Sequence, residues 1–225
     1  VPKQPEMLRG VSKAVYRVWD ESGAMGALAA ALRAVVTPPS GPVSLEVPVD
    51  VQRAPAVENA PLTPPQPALP APDAAFLDML ANKVRTAKRP MLWLGGGARD
   101  AGSEATALAN FGFGIVTSTQ GRATVAEDHS ASLGAFNMTT EAQAIYSSSD
   151  LMIVVGSRLR GNETKNNLMA LPSPLYQIDA EPTQAGRNYP VDGFVCADAK
   201  LALQGLLERL QGGLDTDPNF HHEIA

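Results

Sequence analysis

Along most of this chain, short runs of aliphatic and β-branched residues alternate with stretches of helical periodicity, and that alternation restricts the fold more than any other feature. From residue 73 the order reads helix (73–87), strand (91–94), glycine-rich turn, helix (101–111), strand (114–117) and a loop through Gly134. It continues with helix (141–147), strand (151–155), strand (175–178), short strand (194–196) and helix (198–210). Runs such as Leu151-Met152-Ile153-Val154-Val155 carry no alternating polar positions, so both faces of such a strand must be covered. The expected class is α/β, a Rossmann-like parallel sheet with helices on both faces. In the last helix Leu203, Leu206, Leu207 and Leu210 form one apolar stripe, Asp198 suits the N-cap, and Gly212 suits the stop.

The pattern breaks between residues 54 and 72. Pro55, Pro61, Pro64, Pro65, Pro67, Pro70 and Pro72 recur there among alanines, a composition that favours extended polyproline structure and a semi-rigid connector. Residues 1–53 offer a helix over 24–36 and a strand over 43–48, which together bury no core. They are expected to be the C-terminal remnant of another domain. Residues 73–212 form the main domain in this reading, and the polar stretch 213–225 is expected to begin a further linker. The chain is accordingly expected to be a fragment.

Several classes of function are disfavoured. The formal net charge is −5 with lysine and arginine scattered, which offers no basic face for a phosphate backbone, so nucleic acid is not an expected partner. No apolar run approaches the length of a membrane span and the start Val1-Pro2-Lys3 is unlike a signal peptide, so a cytoplasmic protein without a membrane partner is expected. The single cysteine, Cys196, excludes a disulfide within the chain and reads as core. His129, His221 and His222 are not spaced with carboxylates or the thiol as metal ligands, and Gly156-Ser157-Arg158 does not match a nucleophile elbow. Neither catalytic residues nor metal ligands are therefore expected here.

A ligand crevice is the remaining candidate. Ligands of parallel α/β sheets bind outside the carboxyl ends of the strands, where bare amides and helix N-termini favour anionic groups. Gly95, Gly96 and Gly97 follow the first strand, and Gln120, Gly121 and Arg122 follow the second. Arg158 follows the third, Asp179 the fourth and Asp198 the last. An arginine there suits phosphate, and an aspartate suits a ribose hydroxyl. Asp100 stands where the dinucleotide fingerprint needs its third glycine, which disfavours an ordinary NAD dehydrogenase. A plainer reading stays open for each group: the glycines make a tight turn, Arg158 and Arg160 form a solvated pair, and Asp198 only caps its helix.

The ordered motifs resemble a known family. Gly41-Pro42-Val43-Ser44-Leu45-Glu46-Val47-Pro48-Val49-Asp50-Val51-Gln52 is similar to the segment that closes the pyrimidine-binding domain of acetolactate synthase, glyoxylate carboligase and benzoylformate decarboxylase. The central domain of these enzymes resembles residues 89–97, 114–121 with Glu127-Asp128-His129 and Leu133-Gly134, 149–158, 178–184 and Ala197-Asp198-Ala199-Lys200. This resemblance implies a central domain inside a larger, thiamine-diphosphate- and Mg²⁺-dependent carboligase, acetolactate-synthase-like, acting on a small 2-oxo acid as a homodimer or homotetramer. A benzoylformate-type decarboxylase is the alternative within the family. The glutamate that activates the aminopyrimidine and the Gly-Asp-Gly motif for Mg²⁺ and diphosphate are expected outside this chain, which alone should be inactive. Relatives that hold FAD or ADP in this domain imply that Gly95, Gly96 and Gly97 approach the nucleotide, Gln120, Gly121 and Arg122 line it, Arg158 meets phosphate, and Asp179 and Asp198 hold polar edges. Two departures stand against the nucleotide: Leu159-Arg160-Gly161-Asn162-Glu163 where acetolactate synthases carry Phe-Asp-Asp-Arg, and Gly26-Ala27 in the region of an expected arginine. A free-standing nucleotide-binding module of electron-transfer-flavoprotein or deacetylase type, and a purely structural domain, are the readings from other classes.

Overall fold

In the computed structural model residues 3–55, 62–63 and 65–225 are described. The chain forms two compact units, Val1–Leu69 and Pro70–Ala225. Residues 56–61 and 64 of the proline-rich stretch lie outside the described residues, and its remaining positions from Ala54 to Pro72 adopt no helix or strand.

The first unit comprises α1 (Gln4–Arg9), β1 (Ala14–Arg17), α2 (Ala24–Val36), β2 (Val43–Glu46) and α3 (Val49–Arg53). β1 and β2 pair in parallel, from Ala14 opposite Val43 to Arg17 opposite Glu46, and α2 packs on both. The helix and strand expected over 24–36 and 43–48 are present, while β1 has too short an apolar run to announce itself. Of the unit's described hydrophobic residues, Val18 and Ala31 are buried, so two strands and one long helix enclose little core.

The second unit is a five-stranded parallel sheet. Its elements are α4 (Ala74–Thr86), β3 (Pro90–Leu94), α5 (Gly102–Asn110), β4 (Gly114–Thr117), α6 (Thr140–Ser148), β5 (Leu151–Val155), β6 (Leu175–Asp179), β7 (Gly193–Cys196), α7 (Ala199–Arg209) and α8 (Phe220–Ile224). The spatial order is β4-β3-β5-β6-β7 with all neighbours parallel. Counted within this unit, that is the doubly wound order 2-1-3-4-5, whose direction of winding reverses between β3 and β5.

The two-residue period of the strands builds a core on each face. Leu92, Leu94, Ile115, Ile153, Val155 and Ile178 meet α4, α5 and α7 on one side. Met91, Trp93, Val116, Met152, Val154 and Leu175 meet α6 and α8 on the other. Asp73 caps α4 by accepting from Phe76 N, and Asp198 caps α7 by accepting from Leu201 N. The apolar stripe of α7 is buried at Leu203, Leu206 and Leu210, and Gly212 ends the helix region at φ +109°. The outer edge of β4 is covered, because Ile115 exchanges hydrogen bonds with Ala131 and Leu133.

The helix expected over 101–111 is α5, and the glycine-rich turn before it is a 3₁₀ segment, Gly96–Ala101. Two expectations meet a different local structure. Cys196 is half-exposed rather than core, because β7 is an edge strand whose outer side is left partly open. The stretch 213–225, expected as the start of a linker, carries α8, with Phe220 and Ile224 buried against the sheet and Arg89 bridging to Asp217 and Glu223.

Candidate functional site

The carboxyl ends of the strands, where a doubly wound sheet meets its ligand, gather most of the expected site residues. Opposed winding usually opens a crevice between the first and third strands of such a unit, here β3 and β5. In this chain the ladder continues past the strand ends instead. Gly95 N donates to Val155 O at 2.8 Å and Gly97 N donates to Gly156 O at 3.0 Å. A side-chain carbon on Gly95 would lie 2.2 Å from Gly156 O, and one on Gly97 would lie 3.0 Å from Gly156 Cα. Both glycines are required for this close approach of two backbones. Gly156 turns at φ +59°, which lets its amide return to Ile178 O.

The β4 end closes over the same turn. Ser118 N donates to Leu94 O, and Ser118 Oγ accepts from Gly121 N at 3.2 Å. A Cβ on Gly121 would sit 2.2 Å from Leu94 O, so this glycine too packs on backbone. Gln120 is held by Arg99, whose Nε donates to the Gln120 carbonyl at 2.7 Å and whose guanidinium also donates to Oε1 at 3.1 Å. Arg122 forms a two-pronged pair with Glu127 at 2.8 and 3.0 Å, which raises the guanidinium pKa and lowers that of the carboxyl.

At the β5 end Ser157 is buried and its Oγ accepts from Leu159 N, with Leu159 at φ +45° and itself buried. Arg158 is exposed; its carbonyl accepts from Asn188 Nδ2, and its charge lies near enough to Asp179 and Glu181 to favour their ionised forms. Asp179, the last residue of β6, is half-buried and accepts from Glu181 N at 2.9 Å. Burial pushes its carboxyl above the ordinary value, against the pull of the Glu181 amide and Arg158. Asp198 follows β7, three strand spacings from β3, or roughly 14 Å. Its carboxylate caps α7 and its amide donates to Pro70 O.

Gly95, Gly96, Gly97, Gln120, Gly121 and the Gly156-Ser157 turn are thus brought together, with Arg158 and Asp179 beside them and Asp198 away at the edge. Sequence reasoning missed Arg99 and Ser118, which hold Gln120 and Gly121; a polar residue directly after a strand was the available signal for Ser118. Among the described residues of this unit, four buried polar atoms lack a partner, Trp93 Nε1, Glu104 Oε2, Thr117 Oγ1 and Thr124 Oγ1. Glu163 is half-buried near Ser118 and Arg160, and burial raises its pKa. Separately, the first unit carries a groove of about 930 Å³ at the carboxyl ends of its two strands, lined by residues including Arg17, Leu45, Glu46 and Gln52.

Comparisons with known proteins agree with this architecture. The family model described as "Thiamine pyrophosphate enzyme, central domain" matches residues 77–206, more than half of the chain. Acetolactate synthase 2 of Zea mays, a chloroplastic protein, is 30% identical over 216 residues, covering 92% of this chain and 34% of its own length. The acetolactate synthase large subunit of Corynebacterium glutamicum is 30% identical over 210 residues, covering 88% of this chain and 33% of its own length. Among solved structures, a thiamin-diphosphate-dependent enzyme isolated from Mycobacterium smegmatis superposes with a TM-score of 0.72 at 28% identity, covering 92% of this chain and 41% of that one. The chain spans about a third of the length of the curated relatives it matches. Sheet order, strand-end glycines and matched span lead to one assignment: the chain belongs to the thiamine pyrophosphate enzymes, whose central domain it carries in residues 77–206.

Proposed function

We propose that this chain is part of a longer thiamine-diphosphate- and Mg²⁺-dependent enzyme that joins a small 2-oxo acid to a second carbonyl compound, an acetolactate-synthase-like carboligase. The observation that carries this reading is the reach of the similarity, which runs over 92% of the chain through both compact units rather than through the sheet of the second unit alone. A free-standing nucleotide-binding module has no use for the first unit.

Bound thiamine diphosphate supplies an electron sink for loss of carbon dioxide from a 2-oxo acid. The second unit contributes a rigid scaffold, its strand ends tied by backbone hydrogen bonds. Mg²⁺ and the thiamine are assigned to polypeptide outside this chain because the family resemblance implies it. Among the described residues no helix is long and apolar enough to cross a membrane. The family resemblance, and not that observation, supports a cytoplasmic homodimer or homotetramer. FAD or ADP, which the resemblance also implied, has its own requirement: uncommitted N–H donors and local positive charge at the strand ends.

The test uses the full-length polypeptide with thiamine diphosphate, Mg²⁺ and a panel of aliphatic and aromatic 2-oxo acids. Carboligation releases carbon dioxide and yields a condensed hydroxy-oxo acid; a benzoylformate-type decarboxylase yields the aldehyde instead. No carbon dioxide from any member of the panel, with the cofactor bound, overturns both readings. The 225-residue chain alone is expected to be inactive.

A further inference from the structure

The residues expected to hold a nucleotide are all present, so the strand-end region can be tested for fit. A diphosphate at a strand-to-helix turn is held by backbone N–H groups that lack other partners and by a local excess of positive charge. The donors at this turn are largely taken. Gly95 N serves Val155 O, Gly97 N serves Gly156 O, and Gly121 N serves Ser118. The polar side chains are taken as well: Gln120 by Arg99, Arg122 by Glu127, Asp179 by the Glu181 amide, and Asp198 by the Leu201 amide. The partnerless hydroxyl of Thr117 does not replace them, since that residue is 1% exposed and sealed beneath the protein's own surface.

Space and charge point the same way. The volume a ligand would need beside Gly95 and Gly121 is filled by main chain, with Gly156 O and Leu94 O each 2.2 Å from where a side-chain carbon would stand. Arg158 is exposed, and its single charge is shared by two nearby carboxylates, Asp179 and Glu181, which feel it through space. Arg160 lies by Glu163, and Arg99 is anchored on Gln120 with Asp100 next in sequence. A diphosphate reaching Arg158 would meet more negative than positive charge.

We infer that the carboxyl edge of this sheet is closed on itself and takes no FAD or ADP, its glycines serving to weld the β3, β4 and β5 ends together. The inference goes beyond the thiamine reading, and its test does not depend on catalysis. Isothermal titration of the 225-residue chain with FAD and with ADP, each up to about 1 mM, should show no saturable binding. Saturable binding of either in that range overturns the inference.

A second measurement separates packing from ligand holding. Gly95→Ala forces a carbon into backbone and should lower the Tm by roughly 5 °C or more. Gly96→Ala would bring its added carbon 3.1 Å from Gln120 Cβ, which must give by only a few tenths of an ångström, and should cost less. A Gly95→Ala shift no larger than that of Gly96→Ala overturns the welding role. Should Gly95→Ala fail to fold, Gly97→Ala, whose added carbon would lie 3.0 Å from Gly156 Cα, serves in the same comparison.

Discussion

Truncating Phe220 to alanine is expected to destabilise the second unit as severely as a substitution in the middle of its sheet. Phe220 is fully buried, and its ring lies 3.0 Å from the point where a Cβ on Gly114 would stand, among Met91, Ile224 and the face built on β3 and β5. The Arg89 guanidinium sits over the ring at 5.5 Å from its centroid. Losing a buried phenylalanine costs about 4 kcal/mol including the cavity left behind, and the cation–π contact adds about 0.5–1 kcal/mol. For a unit of this size the melting temperature should fall by roughly 8–20 °C. Near-ultraviolet circular dichroism during thermal and urea unfolding reports the loss through the tertiary signal of Trp93, which shares this core. A change within about 1 kcal/mol would show that residues 213–225 are a detachable tail and that burial of Phe220 contributes little. The same tail removed by ending the chain after Gly213 should reproduce the loss.

The remaining predictions concern carboxylates and the arginine that holds two of them. Asp198→Ala removes the cap of α7 and should cost about 1 kcal/mol, or roughly 2–4 °C of Tm by thermal melting; no change would mean that the Leu201 amide finds water equally well. Burial raises the folded pKa of Asp179, so its ionised form opposes folding: stability present below the unfolded pKa, about 4, is lost as pH rises through the folded value. Asp179→Asn should therefore raise the Tm at pH 7, with a gain that shrinks toward about pH 4; a lower Tm at pH 7 would refute the burial argument. Asp217, held low by the Asn219 amide and Arg89, and Glu223, held low by Arg89, act in the opposite direction. Their contribution is present above about pH 4 and lost as pH falls through the depressed values, so Arg89→Met should move the acid-unfolding midpoint to higher pH. An unmoved midpoint would remove Arg89 from the account.

The sequence by itself determined the class of this protein and the order of its elements. The apolar runs at 151–155 and 114–117 coincide with β5 and β4, because a strand covered on both faces must be uninterrupted and short. The helix expected over 24–36 coincides with α2, and Asp198 caps α7 through local backbone chemistry that needs no distant partner. β1 and α8 were not legible, since Ala14-Val15-Tyr16-Arg17 becomes a strand only beside β2, and Phe220-His221-His222-Glu223-Ile224 becomes a helix only over Met91 and Gly114. The strand-end residues divide in the same way. Their positions followed from strand order, but their partners did not: Gly97 meets Gly156 across 59 residues of chain, and Arg99 reaches Gln120 from the neighbouring turn. Periodicity and caps report what a residue does to its own few neighbours. Only the tertiary structure decides which amide answers which carbonyl, and so whether a glycine-rich turn stands open to a ligand or is closed by its own sheet.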